Sequence, residues 1–208
     1  MIKLEKVNIS IKNDCILKDI NLNLDHGNCY GFIGRNGSGK SILFKAISGL
    51  LKIESGMIKN DKYEINPKTP LKNVGVIIES PMFIANLSGF DNLKCLAEIN
   101  KKISDEEISD CLKKVGLKDA GKKKFKNYSL GMKQRLRIAQ AIMEDPAIYI
   151  LDEPFNGLDE IGVQDVYQII LELKSRNKMI LLTSHDDRDI EKLSDYIFKI
   201  ENRSVLNV

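Results

Sequence analysis

Apolar and polar residues alternate over the first part of the chain. The alternation runs from Ile2 to Leu24, as in LEKVNISI and ILKDINLNL, with Lys12-Asn13-Asp14 between the two runs. A period of two is typical of half-buried strands, and a polar interruption between such runs is typical of a turn. This segment therefore predicts an antiparallel sheet.

Later apolar runs predict further strands. They are Tyr30 to Ile33, Met57-Ile58, Leu71 to Ile78, Ala147 to Leu151 and Met179 to Leu182. Polar groups follow three of these runs: Glu79 follows the third, Asp152 and Glu153 the fourth, and His185 the fifth. Because ligands of parallel α/β sheets bind beyond the carboxyl ends of the strands, we expect these polar groups to converge.

Capping patterns and helical spacing predict helices in the second half of the chain. Ser88-Gly89-Phe90-Asp91 and Ser104-Asp105-Glu106-Glu107 both resemble capping boxes that open helices. Further helices are predicted from Ser129 to about Met143 and from Gly162 to Ser175. We predict a single domain in which residues 82–141 form a helical subdomain, inserted into a core made of residues 1–81 and 142–208.

The turn after the Tyr30 to Ile33 strand carries the clearest chemistry. It reads GRNGSGKS from Gly34 to Ser41 and leads into a helix, which is the full pattern of a phosphate-binding P-loop. Its backbone can bend round an anion at the positive end of the helix dipole. A glycine-rich turn without chemistry is the alternative, which the flanking strand and helix disfavour. We therefore predict nucleotide binding, with the polar strand ends facing this loop.

Specific contacts are expected for each residue of the predicted P-loop. Lys40 reaches the β- and γ-phosphates, and the Ser41 hydroxyl ligates Mg²⁺ between them. The residues predicted to form the nucleotide cradle with them are Asn36, Gly37, Ser38, Gly39 and Ile42.

Composition and charge narrow the class of protein. Hydrophobic residues make up 43% and charged residues 29% of the 208 residues, as in ordinary globular proteins. No apolar run approaches the roughly 20 residues that span a bilayer, and MIKLEKVNIS lacks the apolar stretch of a signal peptide. The net charge of +3 is too small to indicate nucleic acid as a partner. We therefore expect a cytoplasmic protein.

The cysteines show no metal-binding or disulfide pattern. Cys15, Cys29, Cys95 and Cys111 have no C-x-x-C spacing and stand among apolar neighbours. We expect them to be buried, reduced thiols.

Five motifs occur in a fixed order along the chain: GRNGSGKS, IIESP, YSLGMKQRLRIAQA, IYILDEPFNGLD and TSH. With this ordered set the chain resembles the ATP-binding subunit of an ABC transporter over nearly its whole length. The resemblance implies an α/β fold, with a RecA-like P-loop NTPase core, a mainly parallel sheet, an N-terminal antiparallel β subdomain and an inserted α-helical subdomain. IIESP with YSLGMKQR is similar to the ATPases of bacterial export systems for peptide antibiotics of the bacitracin and lantibiotic types.

The resemblance implies roles for the polar strand ends. Asp152 resembles the Walker B aspartate that holds the hydration shell of Mg²⁺, and Glu153 resembles the general base that polarises the attacking water. His185 resembles the histidine that contacts the γ-phosphate, with a solvated loop residue as the alternative. Glu79 stands where the family more often has Gln. Its carboxylate could accept from metal-bound or attacking water, or it could serve mainly the surface that faces the membrane subunit.

A second set of residues is implied to act across a dimer. Ser129 and Gly131 remain from the family signature LSGGQ, while Leu130 and Met132 replace a Gly and the Gln. Ser129 is also a good N-cap, so a capped helix alone is the alternative. In the family this helix start closes over nucleotide held by another subunit, which implies a head-to-tail dimer with ATP between the subunits. Asp159 resembles the aspartate that bridges the two sites.

Two departures from the family concern the nucleotide. Ile11 falls where an aromatic residue commonly stacks on adenine, which leaves van der Waals contact without a ring face. Ile42 stands where a hydroxyl is common, which removes one possible contact to the α-phosphate. We expect loose selectivity for the base.

The function implied by the resemblance is that of a motor subunit for export. ATP binding draws two copies together, the helical subdomain transmits the closure to separately encoded membrane permease subunits, and hydrolysis resets them. The protein would then lie at the inner face of the membrane. One alternative is a soluble ABC-type ATPase acting on nucleic acid or ribosomes, but the chain has no long coiled-coil insertion and no second ATPase unit. Another is a small-molecule kinase, which the predicted base Glu153 disfavours because a kinase must exclude water.

Overall fold

The computed structural model describes residues 1–79 and 82–208, and Ser80 and Pro81, which end the predicted IIESP motif, lie outside the described residues. The strands in the described ranges are β1 (Ile2–Ile11), β2 (Asp14–Leu24), β3 (Cys29–Ile33), β4 (Ser55–Asn60), β5 (Val74–Ile77), β6 (Ile148–Leu151), β7 (Met179–Thr183), β8 (Tyr196–Glu201) and β9 (Ser204–Asn207). The helices are α1 (Lys40–Ile47), α2 (Gly89–Asn100), α3 (Asp105–Lys114), α4 (Leu130–Ile142), α5 (Glu160–Ser175) and α6 (Asp187–Leu193).

The strands form two sheets. A three-stranded antiparallel sheet has the order β2-β1-β4, and a six-stranded sheet has the order β5-β6-β7-β3-β8-β9. In the larger sheet β5, β6, β7, β3 and β8 run parallel to one another, and β9 runs antiparallel to β8. This mixed sheet with helices confirms the predicted α/β class. The β1–β2 hairpin also matches the alternating pattern that predicted it.

Two predicted strands differ by more than one residue from their bounds in the structure. The strand predicted at Met57-Ile58 extends over the whole of β4, because pairing with β1 continues from Ser55 to Asn60 whatever the polarity of the residues. The strand predicted from Leu71 to Ile78 is shorter, because β6 offers β5 only four partners and Asn73 turns the chain with φ at 54°.

The predicted helices are present, with one correction to capping and one to a boundary. Ser104 and Glu107 form a full capping box on α3. On α2 the Ser88 hydroxyl oxygen accepts from the Asp91 N–H, as in a capping box. The Asp91 side chain, shorter than that of Glu107, accepts from the Ser88 hydroxyl and not from the backbone N–H of Ser88. α5 begins at Glu160, before the predicted Gly162. The C-terminal α6, β8 and β9 were not predicted.

The six-stranded sheet separates two apolar clusters. In β6, Ile148 and Ile150 pack with α1 and the antiparallel sheet, while Tyr149 and Leu151 pack with α4 and α5. Since successive strand side chains point to opposite faces, a fully apolar β6 fits a sheet covered on both sides. Helices α2, α3 and α4 follow β5 and precede β6 in the chain, but the boundaries of a helical subdomain at 82 and 141 stay a prediction.

The expectation that all four cysteines are buried was wrong for two of them. Cys29 and Cys111 are buried, whereas Cys15 is half-buried and Cys95 is exposed on α2. All four are free thiols, as expected. Burial raises the pKa of Cys29 and of Cys111 to about 12, so both stay protonated at neutral pH. Within the described residues, no helix is both long enough and apolar enough to cross a membrane.

Candidate functional site

The order of strands places the predicted polar groups side by side. β5, β6, β7 and β3 are neighbours in the sheet and run parallel, so their carboxyl ends share one edge. Glu79 lies past β5, Asp152 and Glu153 follow β6, and His185 lies past β7. The P-loop follows β3. The convergence expected from the sequence is therefore a consequence of this strand order.

The P-loop presents its backbone to a cavity at this edge. Gly39 precedes α1 in the left-handed region, with φ at 110°, and no side chain caps the first turn of the helix. A Cβ atom at Gly39 would stand 3.2 Å from Ile16 and Leu17 side chains, so glycine suits both the turn and the close approach. The N–H groups at this helix start face a space lined by Asn36, Gly37, Gly39, Lys40, Ser41, Ile42, Ile16, Glu153 and His185.

Two side chains of the P-loop are suited to an anion. Lys40 is buried, and its Nζ donates to the carbonyl oxygens of Gly34 at 2.7 Å and Arg35 at 3.4 Å. No acidic group among the described residues forms an ion pair with it. The Ser38 hydroxyl is buried, and it has no hydrogen-bond partner among the described residues. Among the described residues, the buried Lys40 has carbonyl acceptors but no acidic partner, and the buried Ser38 hydroxyl has no acceptor. Both fit a polyphosphate, which offers many acceptor oxygens.

A hydrogen-bonded chain joins α1, β6 and β7. The Ser41 hydroxyl donates to Asp152 Oδ2 at 2.5 Å, and the Thr183 hydroxyl donates to Asp152 Oδ1 at 2.7 Å. Thr183 also accepts from the backbone N–H of Glu153 at 2.9 Å. Thr183 was not assigned a role from the sequence, although it begins the TSH motif. Thr183 thus holds the side chain of Asp152 and the backbone of Glu153.

The Glu153 carboxylate has two polar partners in the part of the chain that the structure describes. Its Oε2 lies 2.7 Å from His185 Nε2 and accepts from Asn156 Nδ2 at 2.6 Å. Its backbone is in the left-handed region, with φ at 54°, which costs a non-glycine residue free energy and turns the chain sharply after β6. Asn156, in the predicted NGLD motif, was not recognised as a partner of Glu153. The spacing of three residues across a turn is the signal that could have indicated it.

Glu79 forms an ion pair that the sequence did not reveal. Its carboxylate Oε1 accepts from Lys45 Nζ, on α1. Glu79 is also one of the residues lining a second cavity at this sheet edge, together with Ser41, Ile77, Gln134, Arg137, Asp152, Glu153 and Asn156. Ser41 and Glu153 thus line both cavities.

The structure places four predicted site residues away from these cavities. Ser129 is the N-cap of α4 and accepts from the Met132 N–H at 3.2 Å, with Gly131 in the first turn. Asp159 is the N-cap of α5 and accepts from the Gly162 N–H at 2.8 Å. Ile11 ends β1 and pairs with Asp14 at the hairpin, while Ile16 lines the P-loop cavity. Contact of Ile16 with the P-loop depends on the fold of the hairpin, so the alignment that selected Ile11 could not show it.

The donor set at Ser41 and Asp152 fits Mg²⁺. Hydroxyl and carboxylate oxygens are the ligands this ion prefers, and it is commonly held by one or two carboxylates together with substrate phosphates and water. Among the described residues no group of three or more His, Cys, Asp or Glu side chains could hold a metal alone. A site that is completed by phosphate oxygens agrees with both facts.

The sequence matches known proteins over most of its length. Residues 17–156 match the family described as ABC transporter. YybJ of Bacillus subtilis, named as an uncharacterised ABC transporter ATP-binding protein, is 41% identical over 97% of this chain and 93% of its own. The lantibiotic transport ATP-binding protein SrtF of Streptococcus pyogenes is 39% identical over 99% of this chain and 90% of its own.

Two further comparisons agree with these matches. The bacitracin transport ATP-binding protein BcrA of Enterococcus faecalis is 40% identical over 88% of this chain and 60% of its own length. A solved structure of the ATP-binding subunit of an ABC transporter superposes with a TM-score of 0.89 and 27% identity, over all of this chain and 89% of that chain.

Proposed function

The chain belongs to the ABC transporter family as an ATPase subunit, and from this premise we propose which of its residues bind ATP, which cleave it and which partners it joins. The alternative of an ABC-type ATPase acting on nucleic acid or ribosomes is not favoured, because characterised relatives are named as transport proteins.

The P-loop binds the triphosphate in this proposal. Backbone N–H groups from Asn36 to Ser41, with the N-terminus of α1, surround the phosphates, and Lys40 exchanges its two carbonyl acceptors for phosphate oxygens. The Ser38 hydroxyl, buried without a partner among the described residues, gains an acceptor there. Ile42 and Ile16 contact the nucleotide through van der Waals surface, and so does Ile11 if the hairpin closes over the base.

Asp152 and Ser41 hold the metal in this proposal. With Mg²⁺ held by these two side chains, the site would supply positive charge to the phosphates. Thr183 holds the Asp152 carboxylate and the backbone N–H of Glu153, and so fixes these two adjacent residues relative to each other. Glu79 accepts from water at the metal or at the γ-phosphate, while Lys45 balances its charge.

Glu153 is the general base in this proposal. It accepts a proton from the attacking water as the water oxygen bonds to the γ-phosphorus and the bond to the bridging oxygen breaks, with that oxygen leaving on ADP. His185 lies 2.7 Å from the carboxylate and orients it, and its ring contacts the γ-phosphate when nucleotide is bound. The single observation that carries the proposal is that Glu153 lines both the P-loop cavity and the adjacent cavity that contains Ser41 and Asp152.

Two kinds of partner complete the proposed function. Ser129, Gly131 and Asp159 lie at exposed helix starts outside the P-loop cavity, which supports action on the nucleotide of a second subunit in a head-to-tail dimer. Separately encoded membrane permease subunits would use the cycle for export of peptide antibiotics, as the names of SrtF and BcrA suggest. The chain would lie on the inner face of the membrane through them.

Substitution Glu153→Gln tests the proposal. General-base catalysis contributes about 10² to 10⁴-fold, so we expect kcat for ATP hydrolysis to fall by at least about 10²-fold while ATP still binds. Purified wild-type and variant protein should be compared by phosphate release and by binding of a fluorescent ATP analogue. The control is Glu98→Gln, the same change at an exposed position on α2, which should retain wild-type kcat. A wild-type kcat in Glu153→Gln would show that another group is the base.

A further inference from the structure

One tyrosine connects the two turns that carry the proposed catalytic side chains, directly at the Glu153 turn and through Asp189 at the His185 turn. Tyr167 is buried on α5, and its hydroxyl donates to Asp189 Oδ1 on α6. Its ring packs against Phe155, two residues after Glu153, with the ring centroids 5.3 Å apart and the planes at 70°. Tyr167 lies outside the P-loop, and no motif in the sequence singles it out.

The hydrogen bonds continue from Asp189 to the turn that holds His185. Asp189 Oδ2 accepts from the Ser184 hydroxyl at 2.6 Å. The same hydroxyl accepts from the backbone N–H of Asp186 at 3.1 Å. Ser184 and Asp186, on either side of His185, are therefore joined through the Ser184 hydroxyl oxygen. Asp189 accepts from that hydroxyl, and Tyr167 donates to Asp189.

This support is needed because the His185 side chain has little packing of its own. It is 52% exposed, whereas Ser184 and Tyr167 are each 8% exposed. An exposed ring on a short turn keeps one orientation only if the turn itself is rigid. Burial and the hydrogen bond to Asp189 raise the pKa of Tyr167, so its hydroxyl remains a donor throughout the neutral range.

We propose that Tyr167, Asp189 and Ser184 are positioning residues that set the orientation of His185 toward Glu153. The inference rests on the proposed function, because it assigns a supporting role at the same site. Tyr167 contacts the Glu153 turn through its ring, and its hydroxyl reaches the His185 turn through Asp189, which accepts from Ser184. The hydroxyl therefore keeps the two turns in register at the 2.7 Å contact between His185 Nε2 and Glu153 Oε2.

Substitution Tyr167→Phe tests the proposal because it removes only the hydroxyl. Small displacements of catalytic groups cost large factors in rate, so we expect kcat to fall about 10-fold with KM for ATP changed less than about twofold. The matched control is Tyr149→Phe. Tyr149 is fully buried in β6, and its hydroxyl lies 3.5 Å from Asp145 at the opposite end of the strand. A wild-type kcat in Tyr167→Phe, or an equal loss in Tyr149→Phe, would overturn the proposal.

A double substitution separates positioning from general destabilisation. If Tyr167 acts through His185, adding Tyr167→Phe to His185→Ala should leave kcat unchanged within about twofold. A further 10-fold loss in that background would show an effect that bypasses His185 and would overturn the inference. Asp189→Ala with Tyr167→Phe should likewise be no slower than Asp189→Ala alone, since both act on one chain of hydrogen bonds.

The outcomes distinguish this inference from the proposed function. If Glu153→Gln hydrolyses ATP at the wild-type rate, the assignment of the base fails, whatever Tyr167 does. If Glu153→Gln is inactive and Tyr167→Phe has the wild-type kcat, only the inference about Tyr167, Asp189 and Ser184 fails.

Discussion

The carboxylate of Glu79 lies close to the proposed phosphate site. A negative charge there would repel the γ-phosphate, yet Glu79 pairs with Lys45 on α1, and the pair as a whole is neutral. Glu79 is largely exposed, so the pair contributes little to stability. Its consequence is electrostatic: Lys45 allows a carboxylate to occupy the position without a net charge.

Removing Lys45 should therefore weaken ATP binding through Glu79. We expect Lys45→Gln to raise KM for ATP up to about fivefold, the size typical of exposed charge pairs. Adding Glu79→Gln to it should return KM to the wild-type value, since no unbalanced charge remains. Steady-state kinetics at low salt measure the effect.

A matched control for this experiment is available on the helices. Lys94 pairs with Asp105 at 2.6 Å between α2 and α3, so Lys94→Gln removes a similar exposed pair without altering the P-loop edge. It should leave KM unchanged. An unchanged KM in Lys45→Gln would mean that Glu79 does not affect the phosphates.

At the scale of elements, the approach of α4 to β5 depends on one glycine. A Cβ atom at Gly75 would stand 2.0 Å from the carbonyl oxygen of Ala141, near the end of α4. The obstacle is backbone, so no side-chain rotation could relieve the overlap. The helix that carries Ser129 at its N-cap is thus held against the strand that leads to Glu79.

Substitution Gly75→Ala should displace α4 and destabilise the protein. Overpacking typically costs about 1–3 kcal/mol, and for a chain of this size each kcal/mol lowers Tm by about 2–4 °C. Thermal unfolding followed by circular dichroism measures the change. Gly121→Ala serves as the control, because its Cβ would stand 3.1 Å from the flexible end of Leu112 and should shift Tm much less. Equal shifts in the two variants would refute the close-packing argument.

At the scale of the whole molecule, the proposed site is divided between two surfaces of the chain. The P-loop, Asp152, Glu153 and His185 share one sheet edge, whereas Ser129 caps a helix whose start does not line the same cavity. Both surfaces suit phosphate, because each presents N–H groups at a helix start. A head-to-tail dimer would place the P-loop surface of each subunit against the Ser129 surface of the other, which forms two complete sites.

Complementation between two inactive variants tests this arrangement. Lys40→Ala removes the P-loop charge, and Ser129→Asp keeps an N-cap while adding a repelling carboxylate. A mixed head-to-tail dimer contains one site with both changes and one with neither, so mixing should restore up to about a quarter of wild-type ATPase activity. Mixtures no more active than their components would rule out action in trans.

Ser129→Asn is the control for charge in this experiment. Asparagine caps a helix as well as aspartate does but carries no charge, so Tm should be equal in the two variants. ATPase activity should be far higher in Ser129→Asn than in Ser129→Asp. Equal inactivity of both variants would indicate that the serine hydroxyl itself is required.

Local patterns predicted the elements and the P-loop edge well. The alternation before Leu24, the apolar run of β6 and the GRNGSGKS turn each depend on residues close together in sequence. Boundaries were less reliable, because the end of β5 depends on how many partners β6 offers. The C-terminal α6, β8 and β9 had no motif to indicate them.

The partners of the site residues were not predictable in the same way. Lys45 pairs with Glu79, Thr183 with Asp152, and Tyr167 with Asp189, and the members of each pair lie 22 to 34 positions apart. Such contacts depend on which helices and strands pack together, and the residue pattern of a single element carries no information about its neighbours.

The sequence by itself determined membership of the ABC transporter family, and it predicted the chemistry from a P-loop turn and from carboxylates and a histidine at strand ends. Short-range patterns sufficed because the dihedral angles and side-chain periodicity of each segment follow from its own residues. Only the tertiary structure decided how these groups are held, because hydrogen bonds such as those from Thr183 and Tyr167 form when distant strands and helices pack together. The orientation of Glu153 and His185 is therefore a property of the folded sheet.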